Sequence, residues 1–149
     1  MTTAHDEAYP CGPAADGLDT EYWHGLRQGE LRIQRCASCR AWLWGPRRIC
    51  GHCHGFDLTW EAVPAQGTVY TWCRSRHPYM SELADLLPYV SVLVELPHAG
   101  NVRVLGLLTG DTDGVRIGDE VVGHIEQPAT AEWPLLRWRR AAQTPEGER

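Results

Sequence analysis

Four cysteines define the chemistry this sequence can support. Cys36-Ala37-Ser38-Cys39 and Cys50-Gly51-His52-Cys53 are two Cys-x-x-Cys pairs with ten residues between them. Each pair suits a tight knuckle whose two sulfurs point the same way, and two knuckles enclose a tetrahedral Zn2+ with no open position. A closed site holds structure and does not activate water. His52 is then a spacer, because four sulfurs already fill the tetrahedron.

Two disulfides are the alternative, and the N-terminus argues against them: it has no basic stretch followed by an apolar one, as a secretory signal would. A rubredoxin-type iron site shares the spacing. There, a glycine usually relaxes each knuckle after its second cysteine, whereas Arg40 and His54 occupy those places here. Zinc at Cys36, Cys39, Cys50 and Cys53 is the expected occupant. No Gly-rich phosphate loop, Gly-x-Ser-x-Gly elbow or His-Glu-x-x-His helix accompanies the cysteines, so no catalytic residue is assigned. The residues point to a binding or accessory module ahead of an enzyme.

Charge narrows the partners. The 149-residue chain carries a net charge of −5, and all 14 basic residues are arginine. An acidic chain makes a poor general binder of nucleic-acid backbone. Residues 21 to 48 nevertheless set six arginines against two glutamates, a local charge of +4. That patch is either a solvated ribbon surface or a face for an anion. Within it, Arg47 and Arg48 beside Trp42 and Trp44 could meet a nucleotide-like group by charge and stacking. No apolar run approaches the roughly 20 residues that span a bilayer, and the chain is expected to be cytoplasmic.

The elements that must position these residues follow from period and punctuation. Residues 1–18 read as a disordered or partner-wrapped leader, with Cys11 as a thiol in a mobile tail. Asp19 or Thr20 caps a short helix through Arg27 with Gly29 as its stop, and the aromatics Tyr22 and Trp23 must dock on something, either the chain itself or a partner. Leu31 to Arg35 alternates and delivers Cys36 at a strand end. Residues 41–49 read as a strand with Trp42 and Trp44 on one face and a turn at Gly45-Pro46. Residues 57–62 close the ribbon.

Beyond Pro64 come short strands at 67–74 (with Cys73), 89–96, 102–108, 120–126 and 135–139, the spacing of a small closed barrel. The long loop at 77–88 holds Tyr79, Met80, Leu83, Leu86 and Leu87, with Ser81 as a cap for one or two helical turns. It either plugs the barrel or binds a partner. The fold class is therefore mainly β, a short helix and zinc ribbon (19–63) followed by a five-stranded OB-fold (64–141) and a disordered tail (142–149).

The order of parts, Gly25-Leu26-Arg27-Gln28-Gly29, the four-cysteine ribbon, Gly67-Thr68-Val69-Tyr70-Thr71, Pro88-Tyr89-Val90 and Val115-Arg116-Ile117-Gly118, resembles the DUF35 family over about residues 20 to 141. The resemblance implies a rubredoxin-like zinc ribbon fused to an OB-fold. It also implies a hetero-oligomer with a thiolase-like, lipid-transfer-type protein, supporting carbon–carbon cleavage or acyl transfer on acyl-CoA thioesters, steroid side chains included. On that footing Arg47 and Arg48 are candidates for CoA phosphates, and Tyr22, Trp23, Tyr79, Met80 and Leu83 for partner contact. A single-stranded nucleic-acid binder is the alternative, since OB-folds and zinc ribbons both occur in such proteins and stacking residues are available.

Overall fold

The computed structural model describes residues 11–142. Much of the expected leader and most of the expected tail lie outside these residues. Residues 11–18, which are described, form turns, with the Ala14 N–H donating to Asp19 Oδ1 at 2.7 Å. Gly12 sits so close to Trp133 that a Cβ would come within 2.8 Å of the ring. Cys11 is half-buried here and not simply a tail thiol, and burial raises its pKa against the pull of Arg137.

Helix α1 (Thr20–Arg27) starts where expected but is not capped as expected. The Asp19 carboxylate makes no capping bond, because its oxygens accept from Ala14 N–H and from the Trp23 indole at 3.0 Å. The helix stops at Gly29, whose φ of +79° lies in the left-handed region that glycine enters at little cost.

The ribbon is a three-stranded antiparallel sheet in the order β2-β1-β3, from β1 (Leu31–Cys36), β2 (Trp42–Leu43) and β3 (Leu58–Val63). β1 is central and pairs with β3 from Leu31↔Val63 to Cys36↔Leu58. The strand expected over 41–49 shrinks to two residues. Its continuation is replaced by a side chain: buried Gln34 accepts from Arg47 N–H and donates to the Arg47 carbonyl, both at 2.9 Å. One amide thus does the work of a ladder pair, and Pro46, with no N–H to give, could not have continued the strand. Trp42 and Trp44 consequently diverge. Trp42 lies under the Arg35 guanidinium and against Gly100, while Trp44 meets Tyr22 edge-on at 5.3 Å.

The five later strands, β4 (Gln66–Ser75), β5 (Tyr89–Leu96), β6 (Val102–Leu108), β7 (Glu120–Glu126) and β8 (Leu135–Arg140), close into a barrel ordered β4-β5-β6-β8-β7. Only the β6–β8 pairing is parallel. This is the OB-fold arrangement. β5 alternates inward Val90, Val92, Val94 and Leu96 with half-buried residues, as its period requires. At Gly67, where β4 pairs with both β5 and β7, a Cβ would lie 2.2 Å from the Glu95 carbonyl oxygen, so only glycine lets the strands approach. One buried cluster joins the barrel to Leu26, Leu31 and Ile33 of the preceding elements.

The long loop forms a 3-10 turn over Ser81–Leu86. Ser81 is not its cap. Met80 precedes the turn, no side-chain capping bond forms, and the Ser81 hydroxyl lies against Glu82 instead. Among the described residues no helix is long and apolar enough to cross a membrane.

Candidate metal centre and partner surface

β1 ends on Cys36, and the chain turns at once: Arg40 N–H donates to the Cys36 carbonyl at 2.9 Å, and Cys39 N–H points at Cys36 Sγ at 3.5 Å. The second knuckle repeats this, with His54 N–H on the Cys50 carbonyl at 3.0 Å and His52 N–H on Cys50 Sγ at 3.3 Å. Arg40 and His54 take φ of +65° and +60°. The left-handed geometry usually given to glycine is therefore kept without glycine, at roughly 1–2 kcal/mol per residue. The missing glycines, which argued against iron, leave the knuckle shape unchanged. Backbone bonds from Ala37 N–H to the Asp57 carbonyl (2.8 Å) and Cys50 N–H to the Gly55 carbonyl (2.9 Å) tie the knuckles to the ribbon.

The four sulfurs lie within 4.8 Å of one another. Cys36 and Cys53 are 3.6 Å apart and Cys39 and Cys50 3.7 Å, far beyond a disulfide bond. A tetrahedron with metal–sulfur distances of about 2.3 Å has edges of about 3.8 Å, so the donor set fits zinc. The knuckle N–H groups favour thiolates. Cys50 is pulled down to about 6 by the N–H groups of Cys53 and His52, and Cys36 is lowered chiefly by the Cys39 N–H. The Ala41 N–H favours the Cys39 thiolate as well, but desolvation and the neighbouring sulfurs push that thiol up to about 11. Crowded thiolates of this kind need a cation between them.

The local positive charge is largely spent inside the chain. Arg32 pairs with Glu21 (3.1 Å) and Glu30 (3.0 Å), while Arg35 and Arg40 share Glu61 at 3.1 and 3.3 Å. Arg27 lies 3.3 Å over the Trp133 ring. Arg47 and Arg48 remain, exposed and without a carboxylate partner among the described residues; Arg48 reaches only the Asp16 carbonyl, at 3.3 Å. Tyr22 and Trp23 dock on the chain itself. They meet edge-on at 5.2 Å and bridge Trp44 and Trp133, and burial raises the Tyr22 pKa.

The apolar residues of the loop behave differently, since Leu83 anchors the turn at 8% exposure while Tyr79, Met80 and Leu86 are 79%, 41% and 47% exposed. Cys73 is on β4 as expected and points to solvent. Trp133, which joins the helix to the barrel, was invisible in the sequence because its segment carries no period.

Two family models match the two halves: "ChsH2, rubredoxin-like zinc ribbon domain" over residues 23–59 and "ChsH2, C-terminal OB-fold domain" over 60–125. A solved structure described as "Ltp2-ChsH2(DUF35) aldolase" is similar with a TM-score of 0.77 and 32% identity, covering 88% of this chain and 100% of that one. The chain belongs to the DUF35 family. A DUF35 protein of unknown function from Sulfolobus solfataricus shares the fold, with a TM-score of 0.56 and 18% identity over 87% of each chain. A probable enoyl-CoA hydratase alpha subunit from Thermomonospora curvata is 38% identical over 107 residues, 70% of this DUF35 chain. This chain spans about a third of that curated relative's length, 32%. The ribbon model contains all four cysteines, and together with their convergence it supports a structural zinc in this DUF35 chain.

Proposed function

We propose that this DUF35 chain is an accessory subunit of a thiolase-like enzyme. The pair would cleave a carbon–carbon bond in an acyl-CoA thioester, by retro-aldol or thiolytic chemistry, or transfer its acyl group. The observation that carries this reading is the likeness, at 32% identity, to the whole of a DUF35 chain from a structure described as an aldolase. The hydratase subunit named above is consistent with CoA thioesters as the substrate class.

Retro-aldol cleavage needs a base for the hydroxyl proton and stabilisation of the enolate left behind. In this reading the partner supplies those groups, and the DUF35 chain supplies shape and exclusion of water. The exposed Tyr79, Met80 and Leu86 suit burial against the partner, and Arg47 and Arg48 suit the CoA phosphates. Zinc, when bound by Cys36, Cys39, Cys50 and Cys53, holds the ribbon in shape.

The test is to co-purify the chain with a thiolase-like partner and assay cleavage of β-hydroxyacyl-CoA thioesters, steroid side-chain thioesters first. Turnover by the complex but by neither chain alone is expected. Turnover by the DUF35 chain alone, or equal activity of the partner without it, overturns the reading. Replacing Arg47 and Arg48 by alanine is expected to raise KM for the thioester with little change in kcat.

A further inference from the structure

The four sulfurs of the ribbon are not equally sheltered. Cys36 and Cys50 are fully buried and Cys39 is half-buried, whereas Cys53 is exposed. A glycine keeps that exposure open. A Cβ built on Gly55 would stand 3.3 Å from Cys53 Sγ and 3.9 Å from Ser38 Oγ, so the missing side chain leaves one flank of the Cys53 sulfur bare. The backbone of Gly55 has no positive φ that would itself require glycine.

Inside the site, Cys36 Sγ lies 3.6 Å from Cys53 Sγ, the shorter of the two sulfur–sulfur contacts that join the knuckles. Closing that gap to a bond of about 2.05 Å needs each sulfur to move by less than about 1 Å. Both are thiolates once the metal is bound, because a coordinated thiol gives up its proton. Exposure, thiolate character and a second thiolate in contact are together what an oxidant-sensitive cysteine requires. Cys73 is exposed too, but it stands outside the four-sulfur group.

We propose that Cys53 is a modification site for hydroperoxides and that Cys36 is its resolving partner, so that oxidation turns the zinc-loaded ribbon into a Cys36–Cys53 disulfide and frees the metal. The Cys53 thiolate attacks one oxygen of the O–O bond; that bond breaks, the sulfur is oxidised to a sulfenic acid, and the other oxygen leaves as hydroxide or, from an organic peroxide, as alkoxide. The Cys36 thiolate then attacks the Cys53 sulfur, the S–O bond breaks and a hydroxide leaves. Two thiolates have given two electrons to one peroxide, and solvent protonates both leaving groups. Only Cys39 and Cys50 remain as donors, too few for a closed tetrahedral site. The oxidised ribbon loses its tip while the barrel keeps its own core. All of the reacting sulfur lies within this chain, so the chemistry needs no partner subunit.

The test adds hydrogen peroxide to the zinc-loaded full chain and follows, in parallel reactions, zinc released to a pyridylazoresorcinol dye, dimedone adducts that trap sulfenic acid, and disulfides mapped by peptide mass spectrometry. Dimedone is expected on Cys53 ahead of the other ribbon cysteines, and one Cys36–Cys53 disulfide is expected for each zinc released. Thiol reductant with added zinc should restore the starting state. Gly55→Ala is expected to slow zinc release several-fold by covering the open flank, while Cys73→Ser leaves the rate unchanged. Zinc retained while Cys73 is oxidised, first trapping at Cys36, Cys39 or Cys50, or a first disulfide other than Cys36–Cys53 overturns the proposal. Trapping and mapping need no variant, so the native chain decides the matter even where Gly55→Ala disturbs the knuckle.

Discussion

The barrel is held by hydrocarbon and the ribbon tip by sulfur. Val69, Val92, Val94, Val104, Val121 and Trp138 belong to one continuous buried cluster, whereas the tip buries only Cys36, Leu43 and Cys50. A strand in the barrel is replaceable in part, because many neighbours share the burial. Each cysteine at the tip holds one corner of a single tetrahedron. The same chain thus contains a distributed core and a concentrated one, and a change of similar size should spread differently through each.

The largest separation is expected on metal removal, since binding of a structural zinc supplies about 10 kcal/mol or more of folding free energy at such sites. A strong chelator, or Cys50→Ser, should abolish hydrogen-exchange protection at the Cys36, Ala37 and Cys50 amides while β5 and β6 keep theirs. Simultaneous loss in both regions would erase the distinction. Next, Trp138→Ala, at a fully buried position against Gly106, should cost about 3–5 kcal/mol in denaturant unfolding of the zinc-loaded protein. That loss should leave zinc affinity little changed.

Gln34→Leu comes third. It leaves the Arg47 N–H and carbonyl without their partners, and a destabilisation of about 1–3 kcal/mol localised to residues 42–50 is expected by the same exchange measurement. Smallest is His54→Gly. It relieves a left-handed residue and adds chain entropy to the unfolded state, for a net gain of about 0.5 kcal/mol in chemical denaturation. Arg40→Gly should gain less, because it also gives up the ion pair to Glu61.

The contrast also governs what could be read from the sequence. Strands β5, β6 and β7 match their expected bounds to the residue, because alternation and the turns at Pro97–Asn101 and Gly114–Asp119 are local signals. The four cysteines were equally legible, since metal-ligand spacing is written along the chain. What was hidden depends on partners distant in sequence. The 41–49 strand failed because a side chain on β1 took over the backbone of Arg47. Ser81 looked like a cap, but its hydroxyl found the adjacent carboxylate of Glu82. The local charge of +4 looked available until Glu61, 21 residues from Arg40 and 26 from Arg35, claimed both.

The shared cluster has one more consequence. Leu26, Leu31 and Ile33 precede the boundary at which one family model ends and the next begins, yet they are buried with Val92 and Trp138. The seam between the two halves is therefore no place to cut. A barrel beginning at Pro64 would be left with an uncovered greasy window where helix and first strand had been, and would self-associate on gel filtration. The ribbon is a lid as much as a metal site, and the two halves were shaped to be inherited together.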